Sequence, residues 1–168
     1  MISQRMSVHV MSPEARSRIM RSIRKKDTKP EVAVRQLLHR LGFRFRLHRA
    51  DLPGNPDIVL PKHRAVIFVH GCFWHQHPRC KKGAAPRMRR DYWLPKLARN
   101  VERDRRARSD LAASGYRVLV LWECELANAS RLRDALLKFL SDSQSARAVA
   151  SEGSVPLARS GMRRVLTS

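Results

Sequence analysis

The chain has little negative charge, no long apolar run and few cysteines. Its 168 residues contain 14 Asp and Glu against 35 Lys and Arg, which gives a formal net charge of +21 and a pI near 11.6. No apolar run approaches the roughly 20 residues that span a bilayer. The first ten residues, MISQRMSVHV, lack the hydrophobic block of a signal peptide. These absences argue against a membrane-spanning or exported protein.

The excess of positive charge predicts a polyanionic partner, because each phosphate that a Lys or Arg neutralises releases condensed counterions. An anionic lipid surface could use the same charge, so composition alone does not separate DNA, RNA and lipid. The three cysteines are an odd number, and two of them lie close to histidines. That arrangement favours thiolate ligands in a reducing compartment over a disulfide framework. The two features together predict a soluble cytoplasmic protein that binds nucleic acid.

Hydrophobic periodicity predicts one α/β domain at residues 12–141, with a flexible segment at 1–11 and a mostly disordered tail at 142–168. Four helices are predicted: after Ser12-Pro13, after Thr28, from about Asp91 to Ser114, and from Ser130. Four strands are predicted: FRFRLH from Phe43, DIVL from Asp57, AVIFV from Ala65, and YRVLVLW from Tyr116. The inner side of the long helix is assigned to Leu94, Leu97, Val101 and Leu111. This order of elements predicts a small mixed β-sheet flanked by helices.

The segment HGCFWHQHPRC, from His70 to Cys80, has the spacing of a metal site. Cys72, His77 and Cys80 are separated by four and by two residues, so they fit around one ion. Cys124 is the remaining cysteine and would complete a closed tetrahedral zinc site with no position left for water or substrate. His75 and His70 are possible substitute ligands. The simpler alternative is that Cys72 and Cys124 are small core residues.

Asp57 and His70 have the layout of a Mg²⁺-dependent nuclease. Asp57 begins a strand, and the neighbouring strand ends in Phe68-Val69-His70. A carboxylate in such a position can hold Mg²⁺ near a phosphodiester, and a histidine near its neutral pKa can move a proton. The second acid and the lysine usual in such sites are missing, so histidines would replace them. A carboxylate at a strand start is more often only a turn residue.

Two further features allow a structural and a functional interpretation. Phe73 and Trp74 adjoin each other among histidines, and Trp93 follows an arginine run. Each aromatic could simply be core, but an adjacent pair in a basic protein makes insertion between base pairs credible. Glu31 stands three residues after Thr28, which is the spacing of a capping box. Its role as the reciprocal capping partner is the simpler interpretation, and a chemical role stays open.

These residues closely resemble the very short patch repair (Vsr) endonucleases from about Ser12 to Leu126. The resemblance is carried by RIMRSIRKKDTKPE, LPGNPDIVL, AVIFVHGCFWH, WLPKLARNVERDRR and VLVLWEC. The combination of HGCFWH with NVERD is highly specific. The chain departs from the family pattern in Val69, where threonine is common, and in a His77–Cys80 interval that is one residue longer.

The resemblance implies a restriction-endonuclease-like core and an enzyme that nicks duplex DNA 5′ to the thymine of a T:G mismatch, the product of 5-methylcytosine deamination. It implies that Asp57 holds Mg²⁺ together with the main-chain carbonyl of Val69. His75 would position or deprotonate the attacking water, His70 would assist at the phosphate, and Glu31 would be an active-site acid.

The resemblance also implies that Phe73, Trp74 and Trp93 wedge into DNA beside the mismatch, while Met20 enters from the other groove. The structural zinc ligands would be Cys72, His77, Cys80 and Cys124. The enzyme would act as a monomer at the nucleoid of a bacterial cell, with mismatch-repair proteins as candidate partners. Two alternatives remain: a related DNA nuclease with another sequence preference, and a non-catalytic zinc module that binds DNA.

Overall fold

The computed structural model describes residue 12 and residues 26–152. The first predicted helix, Met20 and residues 153–168 lie outside the described residues. The described part contains helix α1 (Lys29–Arg40), strands β1 (Arg46–Leu47), β2 (Ile58–Leu60) and β3 (Ala65–His70), helix α2 (Arg90–Ala113), strand β4 (Arg117–Trp122) and helix α3 (Ala129–Glu152). Residues 71–89 form the β3–α2 loop. No helix in this part of the chain has the length and hydrophobicity to cross a bilayer.

Helix α1 begins where the capping spacing predicts. Thr28 is the N-cap, with φ −68° and ψ 155°, and its hydroxyl accepts a hydrogen bond from the Glu31 backbone N–H at 3.4 Å. A proline in the first turn suits the helix start because its missing N–H has no partner there in any case. Val34 and Leu38 are fully buried, and Gly42, at φ +81°, follows the end of the helix.

The four strands form one mixed sheet in the order β1-β2-β3-β4. Strand β2 is antiparallel to both β1 and β3, whereas β3 and β4 are parallel, with a register from Ala65↔Arg117 to His70↔Trp122. Helix α2 forms the crossover between the parallel pair. Parallel neighbours end at the same edge of a sheet, so the residues that follow β3 and β4 meet there.

Both faces of the sheet are covered. One face packs against α1 and α3 through Leu38, Ile58, Ile67 and Leu136, among others. The other face packs through Val59, Val66 and Phe68 against Leu111 of α2. The predicted α/β class, a small mixed sheet flanked by helices, is confirmed.

Three details differ from the sequence prediction. The strand predicted from Phe43 to His48 pairs only over Arg46–Leu47, and it ends there because His48 leaves the extended conformation with φ +46°. On α2, Leu97 and Leu111 are buried as predicted, but Leu94 and Val101 are exposed. Helix α3 continues to Glu152, beyond residue 141, after which the tail is predicted.

Candidate active site and metal centre

The β3–α2 loop is held in place by side-chain amides. Gln76 donates from Nε2 to the carbonyl oxygens of Phe73, at 2.7 Å, and Gly83, at 3.0 Å. Asn100 of α2 donates from Nδ2 to the Trp74 carbonyl oxygen at 3.1 Å. Each bond satisfies a backbone carbonyl that no strand pairs. The loop therefore has a defined conformation and a fixed position on α2.

Cys72, His77, Cys80 and Cys124 form the predicted cluster. One ligand atom from each lies within 4.8 Å of the others. His77 Nδ1 is 3.2 Å from Cys124 Sγ and 3.7 Å from Cys72 Sγ. The parallel strands bring these residues together, since Cys72 follows β3 and Cys124 follows β4. Burial raises the pKa of the Cys124 thiol to about 12, and the neighbouring Cys72 and Cys80 add to that rise.

These four side chains suit a divalent cation of the zinc type. Three sulfurs and one imidazole nitrogen are the donor set of a closed tetrahedral zinc site, and a bound cation would reverse the rise of the Cys124 pKa. The His77 ring is also fixed, because it stacks on Trp122 at a centroid distance of 4.2 Å. The backbone of Gly83 also packs closely on that of His77, since a Cβ on Gly83 would lie 2.7 Å from the His77 carbonyl oxygen.

His70, His75 and Asp104 form a second cluster beside the first. The two imidazole rings stack at a centroid distance of 3.8 Å and an interplanar angle of 12°. Asp104 Oδ2 is hydrogen-bonded to His75 Nδ1. His70 is 6% exposed, and burial, followed by the charge of His75, lowers the pKa of His70 to about 3. His70 is therefore neutral at neutral pH. In His75, Nε2 is the ring nitrogen that is not bonded to Asp104.

Asp57 faces the end of β3. Its Oδ2 accepts a hydrogen bond from the Val69 backbone N–H at 2.7 Å. Burial raises the pKa of Asp57 to about 6, the charge of Glu31 adds to that rise, and the Val69 hydrogen bond opposes it. A carboxylate in so poor an environment for its negative charge favours a nearby cation.

Glu31 is the buried acid of α1, only 3% exposed. Its Oε1 accepts from the Thr28 hydroxyl at 2.8 Å, and its Oε2 accepts from the Asp27 backbone N–H at 3.1 Å and from Arg35 Nη2 at 2.8 Å. The capping role is therefore present, with Asp27 in place of the N-cap backbone. The charge of Glu31 also raises the pKa of Asp57, so the two carboxylates are within electrostatic range of each other.

The three predicted aromatics form one cluster. Phe73 meets Trp74 and Trp93 edge to face, at centroid distances of 5.0 and 5.3 Å. Trp93 is 7% exposed, whereas Phe73 and Trp74 are partly exposed. Lys96 lies over Trp74 and Trp93, with Nζ 5.6 Å from each ring centroid. The aromatic cluster therefore adjoins the two histidines through one loop.

Comparisons with known proteins identify relatives of the chain. A family described as DNA mismatch endonuclease Vsr matches residues 8–82. The type II nicking enzyme V.XorIIP of Xanthomonas oryzae pv. oryzae is 53% identical over 133 residues, which cover 79% of this chain and 97% of that protein.

A second relative is the DNA mismatch endonuclease Vsr of Escherichia coli (strain K12). It is 47% identical over 122 residues, which cover 73% of this chain and 78% of the relative. The chain belongs to the Vsr family. Among solved structures, the catalytic domain of the homing endonuclease I-Bth0305I matches 70% of this chain, with a TM-score of 0.49 and 23% identity. As a Vsr-family member the chain is a nicking endonuclease, which confirms the enzyme class predicted from the sequence.

Asn100 and Asp104 are the first and last residues of the NVERD motif, but the sequence alone assigns neither of them a role in the site. A signal for them exists in the spacing of α2. Its inward stripe has the alternating four-and-three spacing of a helix face: Trp93, Leu97, Asn100, Asp104, Ala107 and Leu111. Two polar residues on an otherwise apolar stripe require partners, and the loop supplies them.

Proposed function

We propose that this enzyme nicks duplex DNA on the 5′ side of the thymine in a T:G mismatch, with Mg²⁺ at the active site and a structural zinc ion. One observation carries the proposal. Phe73, Trp74 and His75 lie on one loop, and consecutive turns of α2 hold that loop through Asn100 and Asp104. Recognition of a distorted base pair and cleavage of the strand would thus be mechanically joined.

Asp57 is the residue that would hold Mg²⁺, together with the main-chain carbonyl of Val69. Oxygen donors suit this cation, and the raised pKa of Asp57 supports the fit because a bound cation would offset the burial of its charge. Bound Mg²⁺ would offset the charge that develops on the phosphate, and it would lower the pKa of a water molecule bound to the metal. Glu31 lies within electrostatic reach of the same carboxylate.

His75 is the better candidate for the base that takes a proton from the attacking water. The Asp104 carboxylate at Nδ1 fixes the ring and would stabilise the imidazolium that forms when Nε2 accepts the proton. His70 is a poor base because burial lowers its pKa to about 3. It is instead a neutral ring that stacks on His75 and can offer a hydrogen bond at the phosphate.

Zinc at Cys72, His77, Cys80 and Cys124 would be structural, because four protein ligands leave no open position. Its effect would be to fix the β3–α2 loop on the sheet. Longer spacing between His77 and Cys80 than in the family pattern does not separate their ligand atoms.

The aromatic cluster would read the mismatch. A T:G wobble stacks less well than a matched pair, so inserting an aromatic ring beside it costs less free energy. Phe73 and Trp74 are the partly exposed rings, and Trp93 supports them. Met20, outside the described residues, would enter from the other groove. A monomeric state, a place at the nucleoid and mismatch-repair proteins as partners also stay predictions.

The test is a nicking assay with Mg²⁺ on end-labelled duplexes that differ only in one pair, T:G, C:G or T:A. We expect cleavage 5′ to the thymine in the T:G duplex alone. Equal cleavage of all three would favour a nuclease with another sequence preference. Binding without cleavage of any duplex would favour a non-catalytic zinc module.

A further inference from the structure

A cluster of charged side chains outside the β3–α2 loop lies beside Asp57. It consists of Asp27, Glu31, Arg35 and His48. Arg35 is at its centre: Nη1 pairs with Asp27 Oδ1, and Nη2 is 2.8 Å from Glu31 Oε2 and 2.9 Å from His48 Nε2. The Arg35 side chain is 12% exposed. It is therefore a guanidinium enclosed by its partners rather than a surface arginine.

The guanidinium stands where a metal ion would fit. Ligand atoms of Asp27, Glu31 and His48 lie within 4.8 Å of one another, which is the spacing of a metal site. Arg35 contacts all three, so it already supplies the cation that two carboxylates require. Its Nε is buried and has no hydrogen-bond partner among the described residues. The contacts that fix the side chain are thus those of the two terminal nitrogens.

The cluster is connected to Asp57 through the backbone and through charge. The His48 backbone N–H donates to the Asp57 carbonyl oxygen at 3.4 Å, with His48 in the left-handed region at φ +46°. Glu31 and Arg35 both act electrostatically on the Asp57 carboxyl, with opposite signs. A change in the position of either of them therefore changes the field at the proposed metal ligand.

We propose that Arg35 is a positioning residue for the nicking reaction: its guanidinium holds Glu31 and His48 in fixed orientations beside Asp57 and excludes a divalent cation from the Asp27–Glu31–His48 cluster. The inference rests on the proposed function, in which Asp57 and Glu31 belong to the active site. The contact with Arg35 also fixes the tautomer of His48. Arginine only donates, so His48 Nε2 is the acceptor and the ring proton is on Nδ1.

The kinetic test compares Arg35→Ala with Arg40→Ala, which removes the same charge from an exposed position on the same helix. Partners that orient metal ligands typically contribute about 10- to 100-fold to activity, so we expect kcat on the T:G duplex to fall by about that factor in Arg35→Ala. The KM for DNA should stay within roughly twofold, because a buried residue makes no uniform binding contact with the duplex. Arg35→Lys should recover only part of kcat, since one ammonium cannot replace the planar fork. Equal kcat in both alanine variants would overturn the proposal.

Two measurements need no nicking activity and so separate this proposal from the proposed function. Zinc-loaded protein is titrated with Mn²⁺ and the free ion is followed by electron paramagnetic resonance. Arg35→Ala should bind one more Mn²⁺ than the wild type, and Arg35→Ala with Glu31→Gln should lose it. Equal stoichiometry in wild type and Arg35→Ala would mean that the guanidinium excludes no cation.

The second measurement uses the wild type alone, so it stands even if Arg35→Ala does not fold. Nitrogen-15 NMR of the His48 ring should show a neutral imidazole with its proton on Nδ1. A proton on Nε2, alone or in an imidazolium, would overturn the contact with Arg35 and with it the positioning role.

Discussion

Replacing Asp57 by asparagine should make the Mg²⁺-free protein more stable while it abolishes nicking. Burial raises the pKa of Asp57 from 3.8 to about 6, because the folded protein solvates the negative charge poorly. Asparagine carries no charge, and its side-chain oxygen can still accept the hydrogen bond from the Val69 backbone N–H. The substitution therefore removes an electrostatic cost and keeps the local geometry.

The magnitude follows from the pKa. Each pKa unit corresponds to about 1.4 kcal/mol, so the rise from 3.8 to about 6 destabilises the folded state by up to about 3 kcal/mol when Asp57 is ionised. This free-energy cost depends on pH. Below 3.8 both folded and unfolded carboxyls are protonated and the cost is absent; it grows between pH 3.8 and about 6 and is complete above that. For a chain of this size, 3 kcal/mol corresponds to a rise in Tm of roughly 6 to 12 °C.

The assay is thermal unfolding of zinc-loaded protein without Mg²⁺ at pH 4 and at pH 7.5. Asp110→Asn, an exposed change on α2, is the matched control. We expect Asp57→Asn to unfold above the wild type at pH 7.5 and near it at pH 4, and added Mg²⁺ to stabilise the wild type alone. A gain that is the same at both pH values, or a loss at pH 7.5, would refute the electrostatic reasoning.

Two further predictions concern the loop. Asp104→Asn should lower the single-turnover nicking rate by about 10²- to 10⁴-fold with DNA binding retained, because the His75 imidazolium loses its carboxylate; Asp110→Asn is again the control, and an unchanged rate would contradict the role of His75 as base. Cys124→Ala should lose the one zinc ion per chain that metal analysis is expected to find in the wild type, and lose stability with it. A wild type that is stable and free of zinc would contradict the structural metal site.

The elements of the fold were predictable because their signals are local. The capping threonine of α1 and the apolar runs of β3 and β4 are patterns of neighbouring residues, and the structure contains each of these three elements. Strand β1 was predicted too long, because alternation continues to His48 while the backbone turns there. Local patterns say nothing about where a tertiary contact ends a strand.

The candidate site was predictable where one segment carries it and hidden where packing assembles it. His70, His75 and the first three zinc candidates are neighbours in sequence. Asp104 joins His75 across 29 positions, and Arg35 meets His48 across 13. Such pairs depend on how α1 and α2 dock on the sheet, which periodicity does not determine. The exposed Leu94 and Val101 have the same origin, since α2 turns its polar Asn100 and Asp104 inward to hold the loop.

The order in which the ribosome makes these parts has a consequence for the cell. Asp57, His70 and His75 leave the exit tunnel before α2 and β4, which supply Asp104 and Cys124. A partial chain that ends before β4 therefore contains the residues proposed for cleavage without the second strand end that anchors their loop. The geometry of the site is completed only when β4 has paired with β3, so an unfinished nuclease is also an inactive one.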